Sequence, residues 1–284
     1  MSGKLILCGT PIGNLEDLSP RAERVLAEAD VIACEDTRRT RKLLAHSSIS
    51  AARLVVYNEA NERRRVPTLV AEMMSGRTVV LVSDAGMPGL SDPGFRLVAA
   101  CVEAGVVVET VPGPSAAISA LAVSGLPPAR FVFEGFLPRK RGDRQKRIAL
   151  LSHEERTMIF YESPHRIEET LEDLAAVIPD RRAALARELT KMYEEVRRGT
   201  LAELLAGVRS EGPRGEIVLV VAGAVGEGKV AAEPADLARR ARALMDGGTE
   251  RKEALSLVAQ EAGVPRRDVF NALLEFPDGE AGGG

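Results

Sequence analysis

At 284 residues, the chain is long enough for about two domains. Hydrophobic residues at 45% and charged residues at 28% are the mix of a packed globular protein and exclude a disordered one. A net charge of −3, with seven Phe, three Tyr and no Trp, excludes a generic polyanion binder and an extensive base-stacking surface.

Val- and Ile-rich apolar runs alternate with helical patterns from the first residues onward. Strands are predicted over 5–8, 31–34, 54–57, 78–82 and 106–111, with helices over 20–28, 37–45, 61–74, 95–104 and 116–123. Continuous apolar strands between helices argue a parallel sheet covered on both faces. Ser19-Pro20 supplies an N-cap and first helical position. This is an N-terminal α/β domain over 1–112. Gly125-Leu126-Pro127-Pro128 interrupts the pattern. A second series follows, with strands over 131–133, 158–161, 183–187 and 217–221 and helices near 144–152, 165–177 and 200–208. Residues 194–200 read as a further strand of a mixed sheet. These elements form a second α/β domain, 113–225. The last segment, 226–284, opens with a linker, Gly226-Glu227-Gly228-Lys229. It continues as three short helices within 235–275 and ends in a disordered tail, 281–284.

The longest apolar run, 217–225, has nine residues, about half of a membrane span. The N-terminal apolar stretch is too short for a signal peptide. Cys8, Cys34 and Cys101 lack the close spacing of a zinc site or disulfide framework. The expectation is a reduced, cytoplasmic, metal-free protein away from membranes.

Three Gly/Pro loops directly follow predicted strands: Gly9-Thr10-Pro11-Ile12-Gly13-Asn14, Ser83-Asp84-Ala85-Gly86-Met87-Pro88-Gly89 and Pro112-Gly113-Pro114-Ser115. Strand-to-helix loops of a parallel sheet emerge at its carboxyl edge, where ligands bind. Each loop alone reads as a tight turn; three on one edge favour a ligand site. The first loop spaces its glycines as G-x-x-x-G, which is neither the dinucleotide fingerprint nor a P-loop. A nucleoside-like ligand held by backbone, without a polyphosphate, suits these loops.

Eight motifs then occur in order. They are Gly9 to Leu15, Cys34-Glu35-Asp36-Thr37-Arg38, Val82 to Gly86 with Asp92-Pro93-Gly94, and Val111 to Ala116. Then come Glu134 to Pro138, Phe160 to Arg166, Ala186 to Lys191, and Gly215 to Leu219. Together they resemble the small-subunit ribosomal RNA methyltransferases of the tetrapyrrole-methylase superfamily, closely over 4–223 and loosely beyond. The resemblance implies two α/β domains with S-adenosylmethionine in the cleft between them, a homodimer, and a small helical C-terminal segment. It implies 2′-O-methylation of a cytidine ribose in the decoding centre of 16S rRNA, within the small ribosomal subunit. Carried over by motif, the cofactor residues are Pro11, Asp84, Met87, Ser115, Ala116, Tyr161, Ala186 and Gly215. Met87 departs from the Thr that relatives place in a Gly-Thr-Pro.

Glu35 and Asp36, after the second strand, are candidate catalytic carboxylates facing the ribose, with Arg38 and Arg39 holding phosphate. The alternative is a helix cap by Asp36 and an ion pair by Glu35. Arg139-Lys140-Arg141-Gly142-Asp143-Arg144-Gln145-Lys146-Arg147 holds six basic residues and one acid, a net of +5 in an acidic chain. It is assigned to RNA through Arg139, Lys140, Arg141, Arg144 and Lys146. His165 is a candidate substrate contact. Lys191 either holds a phosphate or carboxylate near the reaction or is a surface lysine.

In such a reaction a 2′-hydroxyl attacks a sulfonium methyl in line, an electrophile that needs no metal. Alignment supplies roughly 7–11 kcal/mol, against roughly 3–5 kcal/mol from a general base. Two rival readings stay open. One is a tetrapyrrole or other small-acceptor methyltransferase. The other is a nucleic-acid-binding regulator using the C-terminal helices, whose seven basic and seven acidic residues over 235–275 argue against DNA docking.

Overall fold

In the computed structural model, residues 3–50, 53–212, 215–224, 233–262 and 264–276 are described. The predicted linker 226–229 and tail 281–284 lie outside them. The chain divides into two compact units, Met1–Ala222 and Gly223–Gly284.

Five apolar runs form the first sheet: β1 (Lys4–Cys8), β2 (Val31–Cys34), β3 (Arg53–Val56), β4 (Thr78–Leu81) and β5 (Val107–Val111). They pair in the order β3-β2-β4-β1-β5, all parallel. Side chains alternate across the sheet, so Leu5 and Val79 enter one core and Ile6 and Val80 the other. Helices α1 (Pro20–Glu28), α2 (Thr37–His46), α3 (Glu62–Met74) and α4 (Phe95–Glu103) connect the strands. α1 starts where the sequence places it, with Ser19 Oγ accepting from the Ala22 amide at 3.1 Å.

Helix α5 (Ala116–Ser124) ends at Gly125 in the left-handed conformation. Its Ala117, Ala120 and Leu121 pack against Ile159, Ala184 and Val218 of the second sheet. That sheet holds β6 (Phe131–Phe136), β7 (Thr157–Glu162), β8 (Arg182–Arg187), β9 (Glu195–Thr200) and β10 (Ile217–Val221). Its order is β6-β7-β10-β8-β9, with β6 and β7 parallel and the other pairs antiparallel, so the sheet is mixed. Helices α6 (Arg141–Leu151), α7 (Ile167–Ala175) and α8 (Leu201–Glu211) complete it.

Strand β6 runs three residues beyond its predicted end because its register shifts between Phe133 and Gly135, where Gly135 has φ +63°. A glycine read as a stop is thus a bulge inside the strand. α6 starts at Arg141, not near 144, which draws most of the basic run onto a helix. The second unit comprises α9 (Pro234–Asp246), α10 (Arg251–Ala262) and α11 (Arg266–Glu275) around Leu237, Ala241, Val258 and Val269.

Candidate functional site

The loops after β1 and β5 cross at two glycines. A Cβ on Gly113 would lie 2.8 Å from the Gly9 Cα, and one on Gly9 would lie 2.6 Å from the Gly113 Cα. No side chain fits either position without separating the loops. The first loop is also bridged to the loop after β4. The Thr10 amide donates to the Gly86 carbonyl at 2.9 Å and the Gly86 amide to the Thr10 carbonyl at 3.1 Å. All three glycine loops are therefore one construction.

A cavity of about 340 Å³ opens beside it. From the first sheet come Ile12, Met87, Leu90 and Asp92; Ser115 and Ala116 come from the start of α5. From the second come Phe136, Tyr161, Ala186, Leu189 and Val218. The Tyr161 ring stacks edge-to-face on Phe133 at 5.0 Å and on Phe136 at 5.7 Å. Burial pushes its phenol above the ordinary range, against hydrogen bonds with the Ala117 backbone and Ser115. The charged lining residues are Asp92, Glu162 and Glu216, with no Lys, Arg or His among them. Ser91, Glu188 and Thr190, around this cavity, hold φ of 65°, 50° and 66°. Such conformations cost about 1–3 kcal/mol each and persist where surrounding structure imposes them.

Met87, Ser115, Ala116, Tyr161 and Ala186 thus share one cavity. Pro11 and Asp84 line another, of about 400 Å³, together with Arg39, Lys42 and Lys191. Gly215 lines neither; at φ +76° it lets Glu188 pack where its own Cβ would stand. Sequence reasoning missed Asp92, Leu90, Phe136 and Leu189 as site residues. Asp92 stood in a recognisable acid-Pro-Gly loop; the apolar three carried no local signal.

The two candidate carboxylates are placed differently. Asp36 caps α2, accepting from the Arg38 amide at 2.8 Å, and pairs with the Arg38 guanidinium at 3.0 Å. Those hydrogen bonds hold its carboxyl below the ordinary range. Glu35 Oε1 accepts from the Asp84 amide at 3.1 Å, and Asp84 Oδ1 accepts from the Asp36 amide at 3.2 Å. This exchange locks the ends of β2 and β4 together. Burial pushes the Glu35 carboxyl up. Arg39 lies 3.5 Å from Asp84. The Lys191 ammonium is paired with Glu188 at 3.0 Å and Glu216 at 3.1 Å, while its stem packs on Gly13. It pins the first loop to the 188–191 turn.

The basic run divides. Arg139, Lys140, Arg141 and Lys146 are exposed, although Arg141 lies 3.3 Å from Asp173. Arg144 is a correction: its side chain is 1% exposed and donates to Asp173 Oδ2 at 2.7 Å and Glu169 Oε2 at 3.3 Å. Buried and paired, it is not available to RNA. Arg166 donates to the Leu137 and Pro138 carbonyls at 3.0 and 3.2 Å, fixing the lead-in to α6 next to Phe136 of the cavity wall. His165 is exposed beside Pro164, which lines the cavity. Among the described residues no cluster of His, Cys, Asp and Glu could hold a metal, and no helix is long and apolar enough to cross a membrane.

The family model of tetrapyrrole (corrin/porphyrin) methylases matches residues 4–205. A ribosomal RNA small subunit methyltransferase I from Halalkalibacterium halodurans is 44% identical over 276 residues, covering 95% of this chain and 94% of its own. Its namesake from Mycobacterium tuberculosis is 46% identical over 277 residues, covering 96% and 95%. A uroporphyrin-III C-methyltransferase from Thermus thermophilus, complexed with S-adenosyl homocysteine, superposes with a TM-score of 0.55 at 20% identity. That match covers 78% of this chain and 97% of the other, a likeness of fold. From these matches along its length, the chain belongs to the tetrapyrrole (corrin/porphyrin) methylases and, within them, to the ribosomal RNA small subunit methyltransferase I family.

Proposed function

We propose that this protein transfers a methyl group from S-adenosylmethionine to the 2′-oxygen of a cytidine ribose in the decoding centre of 16S rRNA. The observation that carries the cofactor is the main cavity's charge: three carboxylates and no cation line it, beside an apolar wall. A polyphosphate would be repelled there, whereas a sulfonium cation is favoured. Ser115 makes no capping bond with its side chain, and the start of α5 offers amides and the positive end of its dipole to a carboxylate. Ile12, Ala186 and Val218 give a flat nucleoside an apolar bed.

When bound, S-adenosylmethionine supplies an electrophilic methyl group. The chain's own part is to hold that group in line with an acceptor oxygen and to keep water out, which the loop crossing and the Tyr161–Phe136 wall are built to do. The exposed cations at the start of α6 favour RNA over a small tetrapyrrole as acceptor.

Incubation with labelled S-adenosylmethionine and small ribosomal subunits lacking the modification should yield labelled 2′-O-methylcytidine in a nucleoside digest, mapping to the decoding centre. Label on a base, or only on a tetrapyrrole offered in parallel, would overturn the assignment. Gly113→Val should weaken S-adenosylmethionine binding by at least about tenfold in calorimetry, because the new side chain forces the Gly9 loop away. Unchanged affinity would mean the crossing does not shape the binding cavity.

A further inference from the structure

We propose that Asp92 takes the proton from the acceptor hydroxyl, and that the acceptor nucleoside enters from the open cavity on the far side of Asp92. The inference rests on the methyl-transfer reading above and adds a residue to it.

The geometry comes first. Beyond the main cavity lies a more open one of about 460 Å³, lined by Glu35, Asn58, Glu59, Ala60 and Pro93 together with Ser91 and Asp92. Ser91 and Asp92 line both cavities, and among the described residues no other does. With the methyl donor in one cavity and the acceptor in the other, the dividing wall is where oxygen, carbon and sulfur must align. Asp92 is the titratable side chain of that wall.

The chemistry requires such a group. As the oxygen–carbon bond forms, the carbon–sulfur bond breaks with its electron pair staying on sulfur. The hydroxyl proton becomes strongly acidic and passes to a carboxylate oxygen of Asp92, then to water once product leaves. A base is most effective when its own proton affinity matches the working pH. Burial first, then the Glu35 charge and more weakly the Asp84 charge, push the Asp92 carboxyl up to about 7, against a hydrogen bond from Ser83.

The groups facing it from each neighbouring element are Glu35 after β2, Glu59 after β3, Ser83 and Asp84 after β4, and Tyr161 on β7. Arg39 is engaged with Asp84 and acts on Glu35 from outside. The earlier candidates suit the task less well. Asp36 is capped onto Arg38 and held acidic. Glu35 lines only the open cavity and accepts the Asp84 amide, so it is a positioning residue that keeps Asp92 basic.

The test uses the full chain. In single turnover on small ribosomal subunits, the wild-type rate should rise with pH through a limb near 7, since the base acts when deprotonated. Asp92→Asn should abolish that limb and slow transfer about 10²–10⁴-fold, with S-adenosylmethionine and RNA affinities within threefold of wild type. Glu35→Gln should move the limb to lower pH. Independently of turnover, carboxyl-carbon NMR of the protein alone should show one aspartate titrating near neutrality, absent in Asp92→Asn and shifted down in Glu35→Gln. A folded Asp92→Asn protein that keeps its rate and pH limb overturns the inference, as does an Asp92 carboxyl titrating near 4. Should Asp92→Asn fail to fold, an unmoved limb in Glu35→Gln overturns it instead. Wild-type methylation at an atom other than a ribose 2′-oxygen overturns the functional reading, a result separable from these.

Discussion

Replacing Arg144 with alanine should destabilise the first compact unit by about 3–5 kcal/mol, the cost of leaving one member of a buried ion pair without its partner. For a unit of this size that lowers the melting temperature by on the order of 10 °C. The reason lies in the contacts. Asp173 is 3% exposed and takes hydrogen bonds from Arg144 at 2.7 Å, Gln145 at 2.9 Å and Arg141 at 3.3 Å. Without Arg144, a carboxylate that cannot reach water loses its closest cation. Replacing both partners, as Arg144→Met with Asp173→Leu, should recover most of the loss, because an apolar pair of similar volume has no charge to desolvate.

The pH dependence fixes the sign. Burial pushes the Asp173 carboxyl up, but hydrogen bonds from Gln145, Arg144 and Arg141 outweigh it and hold the group below its ordinary range. A carboxyl depressed in the folded state contributes stability above its unfolded value near 4 and loses it as pH falls through the folded value. The gap between wild type and Arg144→Ala should therefore narrow below about pH 4, read by thermal melts across pH. An Arg144→Ala protein as stable as wild type at pH 7 would mean that the ion pair does not hold α6 to α7.

Arg144 also shows where a sequence stops being informative. Within Arg139 to Arg147 every cation looks alike, because charge is read residue by residue while burial depends on the helix phase. The phase was in fact available: Arg144, Ile148 and Leu151 fall at i, i+4 and i+7, and all three face the core. The partner was not available, since Asp173 is 29 residues away on α7.

Strands β1, β2 and β4 were legible because both their faces are buried and the chain reads as unbroken Val, Ile and Leu. β6 was legible only to Phe133, since a bulge glycine and a terminating glycine look the same in one dimension. The site followed the same division. That three glycine loops share one edge is a consequence of parallel topology, and Gly9 and Gly113 do meet. Which side of the first loop a residue faces is not: Met87 and Asp84 lie three positions apart yet line different cavities. The placement of Asp92 beside Glu35 and Ser83 needed three strands to be assembled first.

Neutralising the four exposed cations, Arg139, Lys140, Arg141 and Lys146, should weaken RNA binding roughly 10²-fold or more at 0.15 M salt. Each phosphate contact contributes a salt slope of about 0.7–0.9, equivalent to roughly 0.6 log unit of affinity at that ionic strength. Four contacts therefore flatten the slope of log affinity against log salt by about three. S-adenosylmethionine affinity should stay unchanged, because none of the four lines the main cavity.

Arg144 must be left intact in this experiment. Including it, as the bare charge run invites, would loosen α6 through Asp173 and mimic a loss of RNA contacts by loss of structure. Arg141 needs its own control, since it also lies beside Asp173; Arg141→Ala alone should leave the melting temperature within a few degrees, being 71% exposed. His165→Ala, beside the cavity lining, separates contact near the reacting centre from phosphate holding. It should change the methyl-transfer rate without changing the salt slope, because a neutral imidazole releases no counterion. A salt slope identical to wild type in the four-residue variant would return the start of α6 to an ordinary solvated helix face and remove it from RNA recognition.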